Sequence, residues 1–312
     1  MRIEYHRTLI ADTVRNDALY RALKAVIVPA QSVVADIGAG TGLLGIMASK
    51  LGAKTVYLFE TAEVAGVAAK LIKANRVKNC HLIPCHSTEF QDRLAVDVIV
   101  SETLGNYALE ENIVATLVDA KRRYLKPKGI MIPHQISQFV APVIAPRIHH
   151  DLTVWDRMGY DVDFSIAQAM TLNNAYVRTI PCTELLDQGA SAALWDEIDL
   201  LSDVASSRKG EARWKMRRAE TVYGFATWWR ARLHGDIVLS TAPDAPQTHW
   251  EQLYFPLISP MSLKTGESVV LILKSRSSEA AGTHMAWTAI HFDAKGQRVA
   301  RQSLDLDKGY LP

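Results

Sequence analysis

The sequence predicts an α/β unit, built on a parallel sheet covered by helices on both faces, followed by an antiparallel β domain. Two observations carry the first half. Between Val33 and Tyr124, apolar strand-length runs alternate with segments of helical spacing, and the first apolar run ends in a cluster of glycines. A third carries the second half: beyond Lys126-Pro127-Lys128-Gly129 and Ile132-Pro133 the pattern changes to short alternating stretches separated by turns.

Val33 to Ile37 is apolar apart from Asp36, as suits a buried parallel strand, and Leu43 to Leu51 then places Leu43, Leu44, Met47 and Leu51 at helical intervals. Val56 to Phe59 reads as the next strand and Ala62 to Asn75 as the next helix. His81 to Cys85 and Val96 to Val100 are further strands, and Glu111 to Tyr124 returns to helix. In the second half, Thr221 to Trp229 and Ser268 to Lys274 are representative strands, set off by turns such as Ala242-Pro243-Asp244 and Lys264-Thr265-Gly266. Asp151 to Met170, with Trp155, Met158 and Tyr160, fits no strand ladder and reads as an insertion with apolar residues to bury.

Composition excludes several classes. The chain has 312 residues, 48% hydrophobic and 22% charged, which suits a packed globular protein and leaves room for two domains. Its 35 basic and 33 acidic residues give a net charge of +2, so no global attraction to nucleic acid or an anionic membrane is expected. Its three cysteines, Cys80, Cys85 and Cys182, form no metal-binding spacing and read as free thiols in a reducing compartment; no metal is expected. No signal peptide or spanning segment is evident, so a cytoplasmic protein without a membrane partner is expected.

The glycines follow directly on a strand, in Val33-Val34-Ala35-Asp36-Ile37-Gly38-Ala39-Gly40-Thr41-Gly42. Alone, such a turn suits many nucleotide ligands. Asp36 precedes Gly38, Gly40 and Gly42, no phosphate-loop lysine follows, and Glu60 closes the next strand, where an acid can accept both hydroxyls of a ribose. That acid fits either NAD or S-adenosylmethionine. The G-x-G-x-G spacing favours S-adenosylmethionine, which has no pyrophosphate to seat on the helix.

The fourth strand ends in Glu102, and Gly105 and Asn106 are expected to turn the chain back and bring Glu111 beside it. Paired carboxylates in one cavity repel unless a cation lies between them. A guanidinium, with five N–H donors in a planar fork, suits them.

Glu102 and Glu111, with Gly105 between them, resemble the double-glutamate loop of the protein arginine methyltransferases. The segment His6-Arg7-Thr8-Leu9-Ile10-Ala11-Asp12-Thr13-Val14-Arg15 resembles the stretch ahead of that family's fold, Leu125 to Pro133 its junction into a barrel, and Thr248-His249-Trp250 its Thr-His-Trp loop. The resemblance spans nearly the whole chain. It implies a Rossmann-like doubly wound methyltransferase domain at 1–132, a β-barrel substrate domain at 133–312 and a dimerisation arm near 151–170, hence a homodimer.

It further implies catalytic roles for Glu102 and Glu111, and for His249 and Asp12 as an ion pair or proton relay. Arg15 would grip the cofactor carboxylate, with His6, Asp36, Gly38, Gly40, Gly42, Glu60 and Glu102 also at the cofactor, and Ser87 and Thr88 along its adenine strip. The family's methionines beside the glutamates are replaced by Leu9 and Ile113, which leaves the number of methyl groups open and leans toward monomethylation. Family members carry an aromatic-rich helix ahead of the His6 segment, folded over the cofactor; with so few residues before His6, that lid is expected to be missing.

The implied acceptor is arginine in a protein or peptide. Alternatives are free arginine or another small guanidine, and a silent cofactor-binding scaffold, which would not require Glu102, Glu111 and His249 together. Arg208 to Arg218 could be a nucleic-acid patch, but its charges at 213, 215 and 217 alternate with Trp214 and Met216, as in a strand with one wet face. No clear nucleic-acid partner is therefore expected.

Overall fold

The computed structural model describes residues 3–202, 204–278 and 280–310. Helices α1 (Ile3–Ala11) and α2 (Thr13–Val26) precede five strands: β1 (Val33–Ile37), β2 (Thr55–Phe59), β3 (Cys80–Ile83), β4 (Val96–Ser101) and β5 (Leu125–Ile132). Helices α3 (Leu43–Lys50), α4 (Ala65–Ala74) and α5 (Ile113–Tyr124) connect them. The strands pair in parallel in the order β3-β2-β1-β4-β5. The sheet is apolar through its middle because helices cover it: Val34, Leu58, Val98, Ile99 and Val100 are all buried. The order reverses between β1 and β4. At such a switch point the loops leaving two neighbouring strands diverge and open a crevice, and here those loops carry the glycines and Glu102.

The remaining strands are antiparallel. They are β6 (Gln135–Val143), β7 (Tyr176–Arg178), β8 (Ala193–Asp199), β9 (Ser207–Lys215), β10 (Glu220–His234), β11 (Ile237–Ser240), β12 (Gln252–Leu263), β13 (Ser268–Ser278), β14 (Gly282–Phe292) and β15 (Arg298–Asp305). They hydrogen-bond in two sheets, ordered β7-β12-β10-β6-β8 with β11 on β10, and β15-β14-β13-β9. The two meet through large aromatic side chains. Phe255 lies edge-on to Trp287, whose indole N–H reaches Pro256 O at 2.8 Å.

Residues 151–170 form no strand, in keeping with their misfit to a strand ladder. The segment holds the end of α6 (Arg147–Leu152), a short 3-10 turn at Val154–Arg157, a non-helical stretch over 158–164 and the start of α7 (Ser165–Leu172). Val154, Met158, Tyr160, Val162 and Ile166 are exposed along it, and Tyr160 is 92% exposed. Helix α1, which contains the His6 segment itself, lines the first crevice with Tyr5, His6, Leu9 and Ile10.

Candidate active site

A cavity of about 430 Å³ opens at the switch point, within the range of about 300–1,000 Å³ usual for small-molecule sites. Its floor is the turn after β1. Gly38 has φ +73°, and a Cβ there would lie 2.5 Å from Thr103 Cγ2, so both the backbone angle and the loop opposite demand glycine. Glu60, at the end of β2, accepts the amides of Gly40 at 2.7 Å and Ala62 at 2.8 Å, which fixes its carboxylate at the rim with lone pairs to spare. Ser87 Oγ and His6 Nε2 belong to cavity-lining residues, are buried and have no hydrogen-bond partner among the described residues. Buried polar atoms are rarely left so; two here imply a polar ligand.

Glu102 leaves the end of β4 with its side chain 3% exposed. Its Oε2 accepts from Nε and Nη2 of Arg15 on α2, and its Oε1 accepts from Leu104 N. Burial raises the Glu102 carboxyl above its ordinary range, and Arg15 opposes that rise. Glu111 lines the same cavity but faces solvent on one side, and its carboxylate has no hydrogen-bond partner among the described residues. Partial burial, then the charge of Glu60, raises its pKa too.

The loop between the two glutamates is held from the second half of the chain. Trp229 donates its indole N–H to Gly105 O and Trp250 donates to Leu104 O, each at 3.0 Å. The amide of Glu251 donates to Asn106 Oδ1. The Tyr107 hydroxyl meets Ser275 Oγ at 2.5 Å and accepts weakly from Gln138, which also donates to Asp196; Arg208 pairs with that same aspartate. The chain bends at Asn106 and Tyr107, following the expected turn residue Gly105. Left-handed backbone falls on Glu111 (φ +54°) and Asn112 (φ +56°), an uncommon conformation that costs side-chain-bearing residues about 1–3 kcal/mol. Gly105 allows a close approach, since a Cβ there would lie 2.1 Å from Glu110 Oε2.

Asp12 caps α2 by accepting Arg15 N at 2.9 Å through Oδ1, while its Oδ2 takes both Nδ1 and the amide of His249. Burial alone would raise the Asp12 carboxyl, but these bonds outweigh it and hold it below its usual range. His249 is pushed below its ordinary value by burial, against the pull of Asp12. The ring turns Nδ1 toward Asp12 and keeps a buried Nε2 that has no partner among the described residues. The expected pairing of His249 with Asp12 is present, but neither residue lines the cavity.

The residues 134–297 match the family model described as the arginine methyltransferase oligomerization subdomain. The chain belongs to the protein arginine methyltransferase family. As a member it is an S-adenosylmethionine-dependent arginine N-methyltransferase. Residues 19–141 also match the model for ribosomal protein L11 methyltransferase. Protein arginine N-methyltransferase 6 of Xenopus tropicalis is 28% identical over 261 residues, covering 80% of this chain and 77% of its own. Two solved structures share the fold over 98% of each chain. They are the Trypanosoma brucei arginine methyltransferase 1 enzyme–prozyme complex with AdoHcy (23% identity, TM-score 0.85) and Arabidopsis thaliana arginine methyltransferase 10 (22% identity, TM-score 0.81).

Among the positions singled out in this arginine methyltransferase, His6, Arg15, Gly38, Gly40, Glu60, Ser87, Glu102 and Glu111 line the cavity, as do Leu9 and Ile113. Asp36, Gly42 and Thr88 do not. Asp36 is buried beneath the turn, accepts Gly45 N at 2.8 Å and is pushed up to about 7 by burial. Gly42 faces Leu58 and Ala68, and Thr88 is exposed, bonded to His86. Arg15, expected at a cofactor carboxylate, sits on Glu102. Sequence reasoning passed over Tyr5, which lines the cavity beside the glutamates and is raised first by burial and then by Glu102 and Glu111. An aromatic next to His6 was its only signal. It also passed over Tyr107, Trp229 and Trp250 as the holders of the loop.

Proposed function

We propose that Glu102 and Glu111 bind the guanidinium of an arginine in a protein or peptide, and that the cavity wall at Gly38–Gly40, Glu60, Ser87 and His6 holds S-adenosylmethionine. The observation that carries this reading is that Glu102 already holds a guanidinium, that of Arg15, while Glu111 stands beside the same cavity with its carboxylate free of hydrogen bonds among the described residues. The cavity suits the cofactor: Glu60 can take ribose hydroxyls, and the unpartnered Ser87 and His6 atoms await polar contacts. When bound, the cofactor supplies an electrophilic methyl on a sulfonium.

This chain's own groups align the acceptor and take its proton. A guanidinium is a weak nucleophile because its lone pairs are delocalised and its pKa exceeds about 12. Hydrogen bonds to Glu102 draw positive charge toward the nitrogens that do not react. Arg15 opposes the rise that burial imposes on the Glu102 carboxyl. Glu111, raised and partly open to water, accepts the proton released by the attacking nitrogen. Asp12 and His249 act by positioning, because they hold the start of α2 and thereby Arg15.

The boundary between a cofactor half and a substrate half is placed at residues 132 and 133, where the parallel sheet ends. The apolar residues exposed on 151–170 are taken as the arm that joins two copies into a homodimer. Its three free thiols suit a reducing compartment, so we place the protein in the cytoplasm; no helix among the described residues is long and apolar enough to cross a membrane.

The test is transfer of tritiated methyl from S-adenosylmethionine into a cell lysate split into protein and small-molecule fractions, with mass spectrometry of the labelled residue. Label in methylated arginine of the protein fraction is expected. Label confined to small molecules would replace the acceptor with a free guanidine.

A further inference from the structure

The wet face of β9 does not stand alone. The strand register brings its exposed residues into rows with those of β13, β14 and β15 on the outer side of the four-stranded sheet. One row runs Lys215, Ser268, Phe292, Arg298, and the next runs Arg213, Val270, Ile290, Arg301. A third, Glu211, Ile272, Thr288, Ser303, is followed by Lys209, Lys274, Ala286, Asp305, and Arg276 lies beyond, opposite His284. The lysines and arginines of these rows are all exposed and make no ion pair among the described residues. Within the rows the acids are Glu211 and Asp305, and Asp305 is engaged by His284, which also pairs with Asp307.

The arrangement is ordered by strand. Cations occupy both edge strands and, at Lys274 and Arg276, one end of β13, while the centre of the face is apolar and half-buried at Ile272, Ile290 and Phe292. The Arg213 guanidinium lies 5.3 Å above the Phe292 ring, a planar cation on an aromatic. We propose that this sheet face binds a single-stranded nucleic acid, with the edge cations on its phosphates and the apolar centre and Arg213–Phe292 platform against its bases. Charge complementarity selects a polyanion. The flat apolar centre selects exposed bases over a duplex, which would present only its backbone to such a surface. The face is separate from the catalytic cavity. Ser275, which meets Tyr107, points to the inner side of β13, whereas Lys274 and Arg276 point out.

The experiment is fluorescence anisotropy of a labelled single-stranded oligonucleotide of about 20 residues, as RNA and as DNA, titrated with the full-length protein at about 50 and about 200 mM salt. Wild type is expected to bind, with affinity falling steeply as salt rises. The triple variant Lys215→Ala, Arg298→Ala, Arg301→Ala should bind at least about tenfold more weakly, and the slope of log K against log salt should shrink by about 2. Its methyl transfer to a short arginine peptide and its melting temperature should match wild type. If it melts lower, Arg298→Lys with Arg301→Lys decides: that charge-preserving pair must bind like wild type. Absence of binding at low salt, equal binding by the alanine variant, equal binding of duplex, or stronger competition by polyglutamate than by unlabelled oligonucleotide would each overturn the proposal.

Discussion

Oδ2 of Asp12 receives two N–H groups from His249, the ring Nδ1 at 2.7 Å and the main-chain amide at 2.9 Å, across 237 positions of sequence. The same carboxylate caps α2 through its other oxygen, so one side chain ties the helix carrying Arg15 to the β half. Asp12→Ala should therefore lower stability by about 2–4 kcal/mol, from a lost cap and lost charge-assisted bonds. Asp12→Asn should cost less, because the cap survives. Denaturant unfolding of both variants checks this order.

Acid should loosen this same junction. Both groups have folded pKa values below their ordinary ones, so each contributes stability that is complete above its unfolded value and is lost as pH falls. The His249 contribution begins to fade below about pH 6.5, and that of Asp12 only below about pH 3.9. His249→Gln should flatten the upper part of the loss. Melting temperatures between about pH 4 and 8 would show it.

The two glutamates carry the opposite shift. Their raised values mean that kcat/KM should fall on the acid side at a pH above the ordinary carboxylate value of about 4.3. Glu102→Gln should abolish turnover while the cofactor still binds, and Glu111→Gln should slow turnover at least about a hundredfold. Steady-state rates and calorimetric titration with S-adenosylmethionine separate the effects. Near-normal turnover by the Glu102 variant would remove it from the mechanism.

Ser87→Ala separates ligand binding from folding. The hydroxyl is buried without a partner among the described residues, so its removal should leave the free protein as stable as before or slightly more so. S-adenosylmethionine should nevertheless bind more weakly by about 1 kcal/mol or more, roughly fivefold or greater. Paired melting and titration curves would reveal both halves.

Trp229→Phe keeps the ring but leaves the Gly105 carbonyl without its donor. Turnover should fall about tenfold with cofactor affinity unchanged, since the loop loses its hold and the glycine turn does not. On the arm, Ile166→Asp should shift the protein toward a monomer in analytical ultracentrifugation; Ile166 is 79% exposed.

Much of the first half could be read from the sequence because its signals are local. The apolar run before Gly38, the helical spacing from Leu43 and the acid at Glu60 each follow from residues close together in the chain. The resemblance placed Glu102 and Glu111 beside the cavity, but not how they get there. The left-handed backbone at Glu111 carries no compositional mark, because glutamate ordinarily avoids it. Contacts over long separations were invisible: nothing near Leu104 announces Trp250. The cations of β9 read as an ordinary wet strand because their neighbours, Arg298 and Arg301, lie at the far end of the chain and join them only through the register.

The indole bonds onto Leu104 and Gly105 give the acidic loop a divided allegiance. It springs from the sheet that cradles the methyl donor, yet its aim is set by tryptophans of the other half. Damage to the seam between the halves should then blunt the enzyme while leaving its grip on the donor intact. Binding of the donor is thus a poor proxy for a working enzyme.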